Sequence, residues 1–340
     1  MKAAVFAGNK HLTVEELSLS KMKDDDIIIE VDACGVCGTD FHIFNGEAPV
    51  KVPVVIGHEF AGRIVEMGKS VSGFNVGDKV VIDPNMSCGY CRFCRDGKIN
   101  LCENLKALGV SENGGMAQYS IVPQKQAYYL PPNFPIRDAI FTEPLSCCLH
   151  GIEQAEIKTG DTVAVLGMGT IGLLMVQLAR LNGASRIISI EPVEKKFKAA
   201  EHLNVDFILN PYNKYFTSDF KNITSGGADV VIECVGNKSA AQLALELTKP
   251  GGKIILFGLA DSKDVLALNM QSFFHKELTI KSSLLNPFTF QRAVELITSK
   301  KIHVDVLNPI SIPLQTEPLE RLFSDEKDET IIKYMVLPGE

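Results

Sequence analysis

The sequence predicts a two-domain α/β protein in which a β-rich domain comes first and a parallel sheet with helices follows. The chain has 340 residues, 46% of them hydrophobic, which is long enough for two cores. Residues 1–84 contain short apolar or alternating runs broken by Gly, Asn and Asp, a pattern typical of strands and turns. From Asp161 onward, apolar runs of strand length alternate with runs of helical spacing, which indicates βαβ units and a parallel sheet.

The strands of the first domain are expected in IIIEVDACGVCG, VIGHEFAGRIVEMG, DKVVID and residues 116–131, with Greek-key or barrel character. In the second domain, TVAVLG, RIISIE, ADVVIECVG and GKIILFG are predicted strands separated by helices. Beyond Leu285 we expect an amphipathic helix, a charged run at 324–329 on the solvated surface, and a last strand in IIKYMVLP. The predicted boundaries are 1–147 and 148–284, with 285–340 returning to the first domain.

Composition excludes several classes of partner. The net charge is −7, the pI is near 5.6 and no basic run occurs, so a nucleic-acid partner has no electrostatic support. No window holds eighteen consecutive apolar residues, and the apolar run near the N-terminus is too short for a signal peptide. We therefore expect no membrane partner and a cytoplasmic location, where thiols stay reduced and disulfides are rare.

Four cysteines are clustered in the segment CGYCRFC and the KINLC that follows it. The spacing C-x2-C-x2-C-x7-C could serve disulfides, a redox switch or a metal. An iron–sulfur cluster competes with zinc, but all the thiols lie in one small polar lobe with no second cysteine set, so zinc comes first. A site of four protein thiols leaves no open position and is therefore predicted to be structural, within a lobe at 86–104. Its ligands are Cys88, Cys91, Cys94 and Cys102.

A glycine motif indicates a dinucleotide site. GMGTIG supplies Gly167, Gly169 and Gly172 in G-x-G-x-x-G spacing, after an apolar strand and at the start of an apolar helix. These glycines permit a tight turn, close approach of a pyrophosphate and close packing of helix on strand. Ile171, inside the same loop, is grouped with them as a cofactor-binding residue.

The residues after the second predicted strand bear on the choice of cofactor. Glu191 ends that strand, where a carboxylate accepts hydrogen bonds from ribose hydroxyls and repels a 2′-phosphate. This favours NAD over NADP. Lys195 and Lys196 follow closely and weaken the preference, and Lys196 is placed near the adenosine ribose.

Three further residues offer a second metal site. Cys37, His58 and Glu59 provide a thiolate, an imidazole and a carboxylate, which together could hold a zinc with an open position, as catalysis requires. Taken singly, each has an ordinary structural interpretation, because a lone Cys or His is usually a core or surface residue.

The motifs CGVCGTDFH, GHEFAGRIVEMG, the four-cysteine lobe, EPLS and GMGTIG occur in an order that resembles the zinc-dependent medium-chain dehydrogenase/reductase family. The resemblance covers essentially the whole chain, and EPLSCCLHG is more similar to the sorbitol (polyol) dehydrogenase branch than to the threonine dehydrogenase branch. It implies a GroES-like catalytic domain, a doubly wound Rossmann domain, NAD and two zinc ions per chain, one catalytic and one structural.

The resemblance also implies residue roles. Cys37, His58 and Glu59 would surround the catalytic zinc, with Glu143 of the EPL motif at the fourth position. Whether Glu59 or Glu143 touches the metal directly, through water or in exchange stays open. Thr39 would pass the substrate proton towards His42 and solvent, while the carbon-bound hydrogen moves as hydride to the nicotinamide.

Several alternatives remain at this stage. The expected substrate is a sugar alcohol, then its phosphate, butanediol or threonine, and Phe44 either contacts the substrate or belongs to the core. A zinc-free quinone-type reductase would need none of the metal-binding residues, and a non-catalytic nucleotide sensor would predict that some of them are lost. By analogy with the family we expect a dimer or tetramer, with Phe273, Phe274 and Leu284 at an interface.

Overall fold

The computed structural model describes residues 1–324 and 328–339. The omitted residues 325–327 fall in the charged run predicted to be solvated, which therefore lies partly outside the described residues. The chain forms two compact units: unit 1 comprises Met1–Pro144 and Asn286–Glu340, and unit 2 comprises Leu145–Leu285. The catalytic and nucleotide-binding roles predicted for the two parts of the chain stay predictions.

The strands and α-helices of both units have the following bounds. The strands are β1 (Lys2–Gly8), β2 (His11–Glu16), β3 (Asp26–Val36), β4 (Val54–Val55), β5 (Glu59–Met67), β6 (Lys79–Ile82), β7 (Asn85–Met86), β8 (Lys106–Ala107), β9 (Tyr119–Pro123), β10 (Ala127–Tyr129), β11 (Thr162–Leu166), β12 (Arg186–Ile190), β13 (Phe207–Leu209), β14 (Ala228–Glu233), β15 (Thr248–Leu256), β16 (Thr279–Ser282), β17 (Ile310–Pro313) and β18 (Tyr334–Leu337). The helices are α1 (Gly38–Asn45), α2 (Arg92–Arg95), α3 (Thr142–Ala155), α4 (Thr170–Leu181), α5 (Phe197–His202), α6 (Phe216–Thr224), α7 (Lys238–Leu247), α8 (Met270–Lys276), α9 (Phe290–Thr298) and α10 (Thr316–Ser324).

Unit 1 is built on a seven-stranded sheet with the path β10-β6-β5-β3-β18-β17, and β9 pairs with β3. Its register positions the candidate metal residues. In the antiparallel β3–β5 pair, Gly35 lies opposite Glu59, and in the β18–β3 pair, Tyr334 lies opposite Val36. The residues that follow β3, begin β5 and precede β18 are therefore neighbours, although the sequence separates them widely. Ile27, Ile29 and Phe60 are fully buried in the core beneath them.

Unit 2 contains a six-stranded, wholly parallel sheet in the order β13-β12-β11-β14-β15-β16. Counted from its own first strand, this is the order 3-2-1-4-5-6 of a doubly wound dinucleotide-binding fold. The strands are buried on both faces, which explains why TVAVL and RIISI are nearly continuous apolar runs. The predicted class, a β-rich part joined to a doubly wound parallel sheet, is confirmed.

Helix length and hydropathy also bear on membrane association. Across residues 1–324 and 328–339, every helix is too short or too polar to cross a bilayer.

Candidate functional site

Cys37, His58 and Glu59 form a compact cluster in unit 1, with one potential ligand atom from each lying within 4.8 Å of the others. Cys37 follows β3 and caps the N-terminus of α1, while Glu59 begins β5. The two strands approach closely here because Gly35 has no side chain: a Cβ at that position would collide with the Glu59 carboxylate. The local backbone therefore leaves space for the carboxylate beside the thiol.

Asp40 is a fully buried carboxylate next to this cluster, which sequence reasoning did not identify. Its Oδ2 accepts a hydrogen bond of 2.8 Å from the Cys37 N–H, and its Oδ1 lies 3.4 Å from His58 Nδ1. An acidic residue three positions after a helix N-cap is the sequence signature of a capping box, so a local signal existed. Asp40 thus faces one ring nitrogen of His58, which leaves Nε2 as the nitrogen for a ligand.

The electrostatics of the cluster are dominated by burial and anionic neighbours. Burial acts to lower the pKa of His58, but the Asp40 carboxylate and the Cys37 sulfur outweigh it, so the pKa lies well above its usual value of 6.5. Among the described residues, His58 Nδ1 and Asp40 Oδ1 are buried polar atoms that make no hydrogen bond. A buried site with excess negative charge and unsatisfied polar atoms has the chemistry of a cation site.

Lys333 is the second residue that sequence reasoning missed. Its ammonium donates to Glu59 Oε2, and both side chains are at most 4% exposed. Burial acts to lower the pKa of Lys333, but the Glu59 carboxylate, with smaller effects from Cys37 and Asp40, raises it above 10.5. No local pattern could reveal this contact, because 274 residues separate its members.

The other residues predicted around the metal are placed as follows. Thr39 and His42 both lie on α1. The Thr39 N–H donates a hydrogen bond of 3.5 Å to Cys37 Sγ. Glu143 is buried in the first turn of α3 but is not a member of the three-residue cluster. Phe44 belongs to the core, where its ring lies 5.5 Å from that of Phe323, so the structure favours the core alternative.

The four lobe cysteines converge as the spacing predicts. Their Sγ atoms lie 3.5 Å apart for Cys91–Cys94, 3.9 Å for Cys91–Cys102 and 4.0 Å for Cys88–Cys94. A tetrahedral ion with metal–sulfur bonds of about 2.3 Å places its sulfurs about 3.8 Å apart, whereas a disulfide requires about 2.05 Å. All nine cysteines are described and free of disulfides. The spacing fits one metal ion, and a multi-atom iron–sulfur cluster would hold the thiolates farther apart.

Backbone groups already favour thiolates in this lobe. The N–H groups of Cys91 and Asn104 donate to Cys88 Sγ and Cys102 Sγ at 3.4 and 3.3 Å. Such bonds lower the pKa of the Cys88 thiol to about 6 against the effect of desolvation, while burial and neighbouring sulfurs raise that of Cys94 to about 11. Sulfur atoms so close cannot all be anionic without a cation between them.

The predicted glycine loop lies between β11 and α4 in unit 2. Gly167 has φ 89°, which favours glycine, and a Cβ on Gly172 would collide with the Gly167 carbonyl oxygen. Gly169 is the N-cap of α4, and Ile171 is half-buried in its first turn. The loop thus has the tight turn and close helix–strand approach of a pyrophosphate cradle at a helix N-terminus.

Both carboxylate oxygens of Glu191 accept hydrogen bonds from the backbone, which the sequence does not indicate. Its Oε2 accepts from the Met168 N–H at 2.7 Å, and its Oε1 accepts from the Val193 N–H at 2.9 Å. Lys196 Nζ lies 3.9 Å from the same Oε2. Glu191 therefore holds the glycine loop in shape, and it reaches a ribose only with the remaining lone pairs of its oxygens.

Glu233, at the end of β14 on the other side of β11, is a third residue that sequence reasoning missed. Its Oε1 accepts from the N–H groups of Val235 and Gly236 at 2.6 and 2.8 Å. Burial raises the pKa of its carboxyl, although the backbone donors oppose that effect. Two buried glutamates therefore flank the glycine loop and fix the loops beside it.

Comparison with known families matches both units. Residues 23–132 match the family model "Alcohol dehydrogenase GroES-like domain", and residues 170–299 match "Zinc-binding dehydrogenase". The first range contains the Cys37, His58 and Glu59 cluster and the cysteine lobe. The second begins inside the nucleotide loop, at Thr170, and contains Gly172 and the residues after it.

Individual proteins are similar over most of the chain. A sorbitol dehydrogenase from Halalkalibacterium halodurans is 36% identical over 313 residues, covering 90% of this chain and 91% of the relative. An L-threonine 3-dehydrogenase from Caldanaerobacter subterraneus is 34% identical over 268 residues, covering 77% of each chain. Among solved structures, a zinc-binding dehydrogenase from Sinorhizobium meliloti bound to NADP superposes with a TM-score of 0.94 at 35% identity, covering 99% of both chains.

Proposed function

This chain belongs to the zinc-dependent medium-chain dehydrogenase/reductase family, and we propose that it oxidises a secondary hydroxyl of a polyol or sugar alcohol to a ketone, with hydride transfer to NAD. The buried cluster of Cys37, His58 and Glu59 carries the proposal, because a quinone-type reductase without zinc would need none of these three residues. The similarity to a sorbitol dehydrogenase along 90% of the chain supports the polyol class.

The donor sets suit zinc at both positions. Cys37, His58 and Glu59 would hold the catalytic ion with a mixed sulfur, nitrogen and oxygen set, and Glu143 is the proposed fourth residue. Cys88, Cys91, Cys94 and Cys102 would hold the structural ion. When bound, the catalytic zinc supplies a Lewis acid that lowers the pKa of the substrate hydroxyl, and the nicotinamide supplies the hydride acceptor.

The protein's own residues orient the site and carry the proton. Asp40 faces Nδ1 of His58 and orients its ring, and Lys333 donates a hydrogen bond to Oε2 of Glu59. These contacts preorganise the ligand side chains. Thr39, the second residue of α1, is the proposed first acceptor of the substrate proton, and His42 on the same helix is the proposed exit to solvent. The Thr39 hydroxyl donates its own proton as it accepts one, and His42 releases a proton to water, so neither residue changes its oxidation state.

The proposed cofactor is NAD. The carboxylate of Glu191, at the carboxyl end of β12, disfavours a ribose 2′-phosphate. Lys196, 3.9 Å away, offsets part of this charge, and the similar Sinorhizobium meliloti protein is bound to NADP. The preference is therefore proposed to be moderate, and both cofactors belong in the assay.

The activity assay tests the class and the substrate together. We would measure NADH and NADPH formation with sorbitol, xylitol, both arabitols, galactitol, their phosphates, 2,3-butanediol and threonine, each with and without a zinc chelator. Turnover of a polyol that chelation abolishes supports the proposal. Turnover of threonine alone would favour the second candidate, which rests on 34% identity to a threonine dehydrogenase. Cofactor binding without turnover of any alcohol would favour the nucleotide-sensor alternative.

An oligomer and a cytoplasmic location complete the proposal. Strand β16 is at one end of the unit 2 sheet, and Phe274 and Leu284 near it are 78% and 52% exposed. An edge strand bordered by exposed apolar side chains suits pairing with a second copy. Light scattering tests this, and a monomer at micromolar concentration would contradict it. A reducing cytoplasm would keep the lobe thiols available to metal.

A further inference from the structure

The C-terminal end of helix α1 has a feature that the proposed relay does not use. Gly46 ends the helix in the left-handed conformation, with φ 76°, and its N–H donates to the Ile43 carbonyl at 3.0 Å. The Glu47 N–H donates to the His42 carbonyl at 2.8 Å. This pair of bonds is a Schellman motif, and it folds the chain back over the last turn of the helix.

The fold-back brings the side chain of Glu47 to the ring of His42. Glu47 Oε2 lies 2.7 Å from His42 Nδ1. The two residues are thus joined twice, once from backbone to backbone and once from side chain to side chain. The backbone hydrogen bond fixes the position of the Glu47 main chain. Its side chain therefore loses less conformational entropy on pairing with His42 than the side chain of an ordinary surface carboxylate would lose.

A carboxylate in this place selects one form of the ring. A neutral imidazole carries a single N–H, and a carboxylate facing Nδ1 favours the tautomer with that hydrogen on Nδ1. Nε2 then carries the free lone pair and can accept a proton. When it does so, the carboxylate also stabilises the resulting imidazolium, as it does in other histidine–carboxylate pairs.

We propose that Glu47 is a positioning residue for the proton relay, and that it holds His42 as the Nδ1–H tautomer with Nε2 free to accept the substrate proton. The inference rests on the proposed function. One proton arrives at Nε2 and one leaves the ring to water, while Glu47 remains a carboxylate throughout. The side chains of His42 and Glu47 are 30% and 43% exposed, so water can reach the pair.

The tautomer can be measured without any substrate. Two-bond proton–nitrogen correlation spectra of ¹⁵N-labelled, zinc-loaded protein near pH 8 report which ring nitrogen of His42 carries the hydrogen. The H42Q variant assigns the signal. We expect Nδ1–H in the native protein and in Glu47→Gln, whose amide oxygen still accepts, and a shift towards Nε2–H in Glu47→Ala.

Kinetics then test the link to turnover. On whichever alcohol the native protein oxidises, E47A is expected to lower kcat about tenfold, a fraction of what a general base contributes, with KM changed less than twofold. In the H42Q background the same change should cost nothing further, because the two residues act as one unit. The matched control is Glu112→Ala, which removes a half-exposed carboxylate paired with Lys106 at 2.8 Å in the same unit.

Two results would overturn the inference: a His42 tautomer that does not respond to E47A, or a kcat in E47A equal to that of E112A. Native protein that oxidises no alcohol in the panel would instead refute the proposed function, and the tautomer measurement would still decide whether Glu47 positions His42. Both glutamates are exposed enough that folding should survive, and circular dichroism of each variant verifies this.

Discussion

Lys333 and Glu59 form a buried ion pair that joins the residue before β18 to the first residue of β5, beside the candidate catalytic metal site. The ammonium balances one carboxylate in a cluster that also contains Asp40 and the Cys37 sulfur. Removing one member of a buried pair leaves an uncompensated charge, which typically costs about 3–5 kcal/mol. The pair therefore matters most when no metal is present to share the charge of Glu59.

Replacing Lys333 by Met is expected to destabilise the metal-free protein by about 3 kcal/mol and the zinc-loaded protein by clearly less, because the metal supplies a second countercharge. Thermal midpoints with and without zinc measure both effects. Lys281→Met is the control, since it breaks a solvent-screened surface pair with Glu156 and should cost much less stability than K333M, equally in both states. Equal losses in the two metal states of K333M would show that Glu59 does not face the metal.

Metal binding by the lobe thiols should be independent of metal binding by the catalytic cluster. Cys94→Ser is expected to remove one of the two proposed ions per chain and to leave the other in place, since the two ligand sets share no residue. Elemental analysis gives the zinc content, and trypsin should cut faster at Arg92 and Arg95 once the lobe loses its crosslink. Cys234→Ala, which removes a half-buried thiol of unit 2, should keep both ions, and a full zinc content in C94S would refute the site.

Asp83 makes stability depend on pH. Burial raises the pKa of its carboxyl from 3.8 to about 6, although hydrogen bonds from Asn85 and Asn286 oppose the rise. The folded state therefore binds this proton more tightly than the unfolded state, so the contribution of Asp83 falls as pH rises from about 4 to about 6 and is constant above that. A shift of this size corresponds to about 2–3 kcal/mol.

The Asp83→Asn variant tests this because its amide oxygen can still accept both hydrogen bonds. D83N should melt at a higher temperature than the native protein at pH 7, and the difference should shrink as the pH falls towards 4. Melting curves at constant ionic strength across that range measure it. A difference that grows as the pH falls would mean that the native site favours the charged form.

Glu191 should control the choice of cofactor. In Glu191→Gln one oxygen remains as an acceptor, but the charge that repels a 2′-phosphate is lost and Lys196 is left unopposed. The ratio of kcat/KM for NAD over NADP should fall about tenfold, which corresponds to about 1.4 kcal/mol. Glu194→Gln removes an exposed charge from the same loop and should leave the ratio within twofold. An unchanged ratio in E191Q would make Glu191 a purely structural residue.

The features of this protein that could be predicted from its sequence are those that depend on local sequence patterns. Continuous apolar runs such as TVAVL identify strands buried on both faces, and their alternation with helices fixes the parallel sheet. The cysteine spacing likewise brings four sulfurs together, because a short lobe can meet its geometry without help from distant residues.

The missed residues divide by the kind of signal they leave. Asp40 is marked by its capping-box position, and Glu47 by its place just after a helix-ending glycine, so closer attention to helix ends would find both. Lys333 leaves no such mark, since only the pairing of β18 with β3 brings it to Glu59. The apolar run of β12 is enough to place Glu191 at the end of that strand, but the backbone bonds to Met168 and Val193 depend on loop geometry that spacing does not contain.

The placement of β18 between β3 and β17 has a consequence for the order of synthesis. Glu59 leaves the ribosome 274 residues before Lys333, and all of unit 2 is made in between. At about 5–20 residues per second, the carboxylate waits roughly 14 to 55 seconds for its ammonium partner. Unit 2 can fold as a body during that interval, whereas the part of β3 that pairs with β18, from Cys34 to Val36, stays an unpaired edge of the unit 1 sheet. A nascent chain therefore presents the acidic groups of Glu59, Asp40 and Cys37 before Lys333 can neutralise them, and a metal ion can reach them first.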